Sequence, residues 1–156
     1  METIDQIIGQ SCQRNAERCA LQHRQGKDWT DTSYKALWSE AESLASGLNE
    51  LGISQKSHIA ILAPSSPSWV VSYLGVLRNS CIVVPIDKDL KATEMRHILA
   101  DAEVTLIFAG RQQLSLLLKI IDDLPQLKQI VLLDTEDMDR DDKNFKRRRN
   151  SMLRFP

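Results

Sequence analysis

The residues able to do chemistry are few and scattered. Glycine stands only at positions 9, 26, 47, 52, 75 and 110. A phosphate cradle needs clustered glycines so that backbone N–H groups can approach the oxygens, and only Gly47 and Gly52 have the spacing of such a loop. They are followed by Ile53-Ser54 rather than Lys-Ser/Thr, and they fall within and at the end of an apolar helical repeat, so the pair is read as a helix feature. His23, His58 and His97 are too far apart for a paired-histidine metal site, and each is read as structural. Ser65-Ser66 lacks the Gly-x-Ser-x-Gly elbow of a nucleophile and is read as helix capping. Asp87 and Asp89 follow an apolar strand, where α/β sites sit and a metal can bind. No partner stands elsewhere at fixed spacing, so they are read as shaping a loop. Cys12, Cys19 and Cys81 form no C-x-x-C pair. Cys12 and Cys19, seven apart, are placed on one helical face, and the thiols are read as reduced and buried. No residue is assigned a catalytic, cofactor-binding or metal-ligating role.

The elements that would position such residues belong to an ordinary globular chain. Of its 156 residues, 42% are hydrophobic and 26% charged, which predicts a packed core. A formal net charge of -1 gives no field to draw the chain to nucleic acid or an anionic membrane. Lys146-Arg147-Arg148-Arg149 has no interleaved aromatics and is read as a solvated run, so no nucleic-acid partner is expected. The N-terminus carries acidic residues where a signal peptide has a basic flank. No segment approaches the ~20 apolar residues of a membrane span. A cytoplasmic protein without a transmembrane segment is expected.

Periodicity predicts an α/β fold. Thr3 and Gln6 read as a capping box for a first helix running toward Cys19. Ala20 to His23 and Trp29 to Asp31 read as a hairpin around Gln25-Gly26-Lys27-Asp28. Ser33 caps a helix whose stripe is Leu37, Ala41, Leu44, Leu48 and Leu51, stopped by Gly52. His58 to Leu62 is then an apolar strand. The helix-then-strand unit recurs: Ser66-Pro67 starts a helix to Arg78, followed by Cys81 to Pro85; a helix from Glu94 to Ala102 leads to Val104 to Phe108; one from Gln112 to Leu124 leads to Gln129 to Leu133. Four strands separated by helices imply a parallel sheet with helices on both faces. From Asp134 the chain is densely charged and aperiodic, so residues 135–156 are expected to be a disordered tail after a domain over 1–134.

The stretch from Thr32 to Ile53, with Ser33-Tyr34 at its head and Gly47-Leu48-Asn49-Glu50-Leu51-Gly52 at its end, resembles the opening motif of adenylate-forming enzymes. His58 to Asp87 is similar to the family's second block: apolar strand, Ser-Ser-Pro turn, Trp-bearing helix and a Val-Pro-Ile-Asp strand end. Lys88-Asp89-Leu90-Lys91 leans toward fatty acyl-CoA ligases. The resemblance covers most of the chain to about Asp134, and it implies the N-terminal portion of the family's large domain, left incomplete. It implies ATP-dependent activation of a carboxylic acid, a fatty one here, to an acyl-adenylate and then acyl-CoA, with ATP, Mg²⁺ and CoA serving the full-length enzyme. The family's phosphate loop, ribose-binding Asp and adenylation Lys lie further along its pattern, and no match to them stands in this sequence. Arg78-Asn79-Ser80 replaces the usual Lys-Ala-Gly, so the helix end is expected to take another route, with Asn79 best able to turn left-handed.

Two readings follow. The first is an N-terminal piece of an acid–thiol ligase, inert alone and partnered by the remainder of the enzyme. The alternative is a non-catalytic α/β module that docks on a ligase or another partner. A phosphorelay receiver is excluded, because Ala63-Pro64-Ser65-Ser66 follows the first sheet strand where an acidic pair would be needed.

Overall fold

The computed structural model describes residues 2–133 and 152–154. The described residues gather into two compact units interleaved in sequence, one from Met1–Lys56 with Ser65–Ile82, the other from Ser57–Pro64 with Val83–Pro156.

The first unit holds three helices and a hairpin. Helix α1 (Ile4–Arg14) starts on the expected capping box: Thr3 Oγ1 accepts from Gln6 N–H at 3.3 Å, and Gln6 Oε1 accepts from Thr3 N–H at 2.9 Å. It stops at Arg14, short of the expected reach, because the backbone that follows is used elsewhere. The carbonyls of Ala16 and Arg18 accept from Lys35 and Tyr34 N–H, each at 3.0 Å, and so satisfy the first turn of α2 (Tyr34–Glu50). Ser33 Oγ accepts from Ala36 N–H at 3.1 Å and completes that cap. Between the helices, β1 (Cys19–Gln25) pairs antiparallel with β2 (Asp28–Ser33). Cys19 therefore lies exposed in a strand and shares no helical face with buried Cys12.

Helix α2 buries Leu37, Ala41, Leu44 and Leu48 as its spacing requires, while Leu51, past its end, is exposed. It closes in a Schellman motif: Gly52 N–H bonds the Asn49 carbonyl at 2.9 Å and Ile53 N–H the Leu48 carbonyl at 3.0 Å, with Gly52 at φ +73°. Helix α3 (Pro67–Arg78) begins with Ser66 capping Trp69 N–H and Pro67 in the first turn. It ends in the same motif without glycine. Ser80 N–H bonds Leu77 at 2.9 Å, Cys81 N–H bonds Val76 at 3.1 Å, and Ser80 takes φ 56° while Asn79 stays at −81°. The expected change of route does not occur; Ser80 supplies the left-handed residue. Arg78 ties the three helices together, bonding Asp5 at 3.1 Å and Glu42 at 3.0 Å and lying 5.0 Å over the Trp38 ring.

The second unit is a parallel α/β layer. Strands β3 (His58–Leu62), β4 (Ile82–Pro85), β5 (Leu106–Ala109), β6 (Gln129–Leu132) and β7 (Met152–Arg154) lie in the order β4-β3-β5-β6-β7. The pairs β3–β5, β5–β6 and β6–β7 are parallel, with Leu62 opposite Ala109 and Ala109 opposite Leu132. Helices α4 (Ala92–Asp101) and α5 (Arg111–Ile120) bury Met95, Leu99, Leu114 and Leu117 against Ala60, Leu62, Ile107, Ala109, Ile130 and Leu132 on one sheet face. Residues pointing the other way, Ile59, Ile61, Leu106 and Phe108, are buried as well, which is why these strands read as unbroken apolar runs. Each such side chain contributes about 1.5–3 kcal/mol. Four of the strands match the expected ones. The fifth, β7, stands where the sequence predicts a disordered tail; residues 134–151, which carry most of that expectation and the Lys146–Arg149 run, lie outside the described residues.

Candidate functional site

The residues singled out for chemistry do not converge. Gly47 sits inside α2 and Gly52 at its left-handed end, with Gly52 N–H spent on the Asn49 carbonyl, so neither offers a cradle to a triphosphate. His58 opens β3, and its Nδ1–H donates to the Ala102 carbonyl at the end of α4. His23 lies on β1 and His97 is exposed on α4. Ser66 caps α3, as its position predicts. Among the described residues, no group of three or more His, Cys, Asp or Glu could hold a metal ion.

Asp87 and Asp89 do stand just past the carboxyl end of β4. Asp87 Oδ1 accepts from Asp89 N–H at 2.9 Å, closing the loop on itself, and Asp89 Oδ2 meets Lys88 Nζ at 2.6 Å. The hydrogen bond to Asp89 holds the exposed Lys88 ammonium above its ordinary value. With one carboxylate turned to backbone and the other paired with a cation, the set does not fit a Mg²⁺ ion, which asks for near-octahedral oxygen ligands.

One other place has a shape that a ligand could use, and a second holds a buried polar atom without a partner. In the first unit, a cleft of about 380 Å³ opens beside Cys12, Ala16 and Trp38, with Glu17, Lys35 and Glu42 at its polar margin. Burial pushes the Cys12 thiol up, so it is a neutral wall rather than a nucleophile. In the second unit, the carboxyl ends of β3 and β5 meet the start of α5, where buried Gly110 lies under Gln113. Sequence reasoning passed over Gln113, because a single Gln in an apolar helical repeat carries no motif. Its only signal was a polar residue at an interior position directly after a strand.

The profile of the family described as AMP-binding enzyme matches residues 8–153. A long-chain-fatty-acid–CoA ligase of Xenopus laevis, ACSBG2, is 27% identical over 130 residues, covering 83% of this chain and 18% of that protein. Another, heimdall of Drosophila melanogaster, is 28% identical over 137 residues, 85% of this chain and 20% of that protein. The hybrid PKS-NRPS synthetase xenE of Xenoacremonium sinensis is 32% identical over 114 residues, 73% of this chain and 3% of its own length. The chain thus spans 18% and 20% of these two fatty-acid ligases. The anthranilate CoA ligase AuaEII superposes with a TM-score of 0.73 at 25% identity, over 82% of this chain and 24% of that one. The A-PCP didomain of a carboxylic acid reductase from Segniliparus rugosus superposes at 0.83 and 15% identity, over 96% of this chain and 25% of its own, a likeness of fold.

Proposed function

From the premise that this chain belongs to the AMP-binding enzyme family, we propose that it is the N-terminal part of an AMP-dependent acid–thiol ligase. Its substrate class is a fatty acid, activated to an acyl-adenylate and passed to CoA. The observation that carries this is the run of long-chain-fatty-acid–CoA ligases that align with 83% and 85% of the chain. ATP, Mg²⁺ and CoA serve the complete enzyme.

On this reading the chain performs none of the chemistry by itself. Adenylation demands N–H groups and cations around the triphosphate and a metal to collect charge. The glycines at 47 and 52 are committed to α2 and its end, and the Asp87–Asp89 loop is closed on itself. What the chain contributes is scaffold: a parallel sheet whose carboxyl ends form one side of a site, with the remainder of the ligase as its partner. The test is to read the coding DNA beyond the codon for Pro156 in all three frames. A glycine-rich phosphate loop and a downstream lysine in any frame support the proposal. Their absence over several hundred bases overturns it and leaves a binding module as the reading to pursue.

A further inference from the structure

The cleft of about 380 Å³ in the first unit opens where the end of α1 meets the start of α2. An apolar cavity of about 150 Å³ is already enough to hold benzene, so there is room here for an aromatic ring. The apolar wall is made by Cys12, Ala16 and the indole of Trp38. That indole is held in place before anything binds. A Cβ on Gly9 would lie 2.8 Å from Trp38 Cζ2, so the α1 backbone approaches the ring where only glycine leaves space. Arg78 lies 5.0 Å over the same ring. A side chain fixed in this way loses little freedom when a ligand packs on it.

The charges around the cleft are already matched. Glu17 faces Lys35 at 4.0 Å, and Glu42 holds Arg78 at 3.0 Å. Burial raises the Cys12 pKa, so the thiol adds no charge. An anion would have to draw Lys35 away from Glu17. A cation would compete with Arg78 for both Glu42 and the Trp38 ring. The margin also presents the Gln13 carboxamide and the Ser39 hydroxyl, each able to donate and to accept a hydrogen bond.

We propose that this cleft binds a small neutral aromatic molecule bearing one O–H or N–H, of the phenol or indole class, with its ring against Trp38 and its polar hydrogen on Gln13 or Ser39. The fixed indole selects a ring, the matched charges select a neutral molecule, and the polar margin selects one that can donate. The inference rests on this geometry alone and stands whether or not the ligase reading does.

The test is a ¹H–¹⁵N NMR titration of the 156-residue chain with phenol and, separately, with cyclohexanol, benzoate and benzylammonium. Phenol is expected to shift the Cys12, Ala16 and Ser39 amides and the Trp38 side-chain N–H saturably, in the millimolar range ordinary for so small a molecule. Cyclohexanol, which keeps the hydroxyl and loses the aromatic ring, binds about two- to tenfold more weakly. The two ions bind about three- to fivefold more weakly, the worth of one exposed ion pair. In Ala16→Leu, whose larger side chain takes up room in the cleft, phenol affinity falls about tenfold or more. Phenol shifts that do not saturate, or that saturate equally in Ala16→Leu, overturn the proposal. So does cyclohexanol or either ion binding as tightly as phenol. If Ala16→Leu does not fold, the four ligands on the unaltered chain decide the matter.

Discussion

Replacing Ser80 by glycine should stabilise the chain. Ser80 ends α3 at φ 56°, in the left-handed region that an L side chain enters at a cost of about 1–2 kcal/mol. Its side chain is exposed and its structural role is carried by backbone: its N–H bonds the Leu77 carbonyl at 2.9 Å, and its carbonyl accepts from Lys56 N–H at 2.8 Å. Glycine keeps both bonds and removes the strain, while the freer unfolded chain takes back about 0.4–1 kcal/mol. Taken at the middle of both ranges, the net gain is about 0.8 kcal/mol. For a chain of this size that is a rise in Tm of about 1–4 °C. Gly52→Ala provides the opposite sign at a matched site, since Gly52 holds φ +73° in the same motif with nothing within 4 Å of an added Cβ. Urea unfolding followed by tryptophan fluorescence is the assay, because Trp29, Trp38 and Trp69 all belong to the unit that contains Ser80. An unchanged or lowered midpoint for Ser80→Gly, beside a lowered one for Gly52→Ala, refutes the reasoning: Ser80 would then not carry left-handed strain.

Gly75→Ala should destabilise by about 1–3 kcal/mol, because the new Cβ would lie 2.6 Å from Leu44 Cδ2 and 2.9 Å from Leu44 Cβ, where α3 rests on α2; a lowered urea midpoint checks it. Thiol labelling should be ordered, with exposed Cys19 modified first and buried Cys12 and Cys81 protected until unfolding, as mass spectrometry of partly labelled chain would show. Burial raises the Cys12 pKa, so the folded state holds that proton more tightly than the unfolded chain. The stability it contributes is complete below the ordinary thiol range and is lost as pH rises through that range toward the raised native value. Cys12→Ala should flatten that alkaline fall in urea midpoint.

Much of the fold is legible where local chemistry decides it. Thr3, Ser33 and Ser66-Pro67 start their helices as their side chains dictate, and the unbroken apolar strands announce a sheet buried on both faces. The misreadings turn on backbone partners, some distant in sequence and some within a single helix end. Cys12 and Cys19 have helical spacing, yet Ala16 and Arg18 are held by the first turn of α2, so the helix cannot continue to Cys19. Asn79 is the better left-handed former, but the Cys81 to Val76 bond closes only if Ser80 turns. Strand β7 pairs with β6 from within the charged stretch, most of which lies outside the described residues. Among the candidate residues, the Asp87–Asp89 loop lies just past a strand, where its place in the sequence puts it. Gln113 carries no such signal, because its orphaned oxygen depends on Leu62 having taken the Gly110 N–H first.

The central proposal is that this chain supplies N-terminal scaffold of an adenylate-forming ligase and is inert by itself. The most direct measurement is fatty-acid-dependent ATP–pyrophosphate exchange by the purified 156-residue chain with Mg²⁺ and a long-chain fatty acid. The account predicts no exchange above a protein-free control; fatty-acid-dependent exchange that scales with the amount of chain would contradict it.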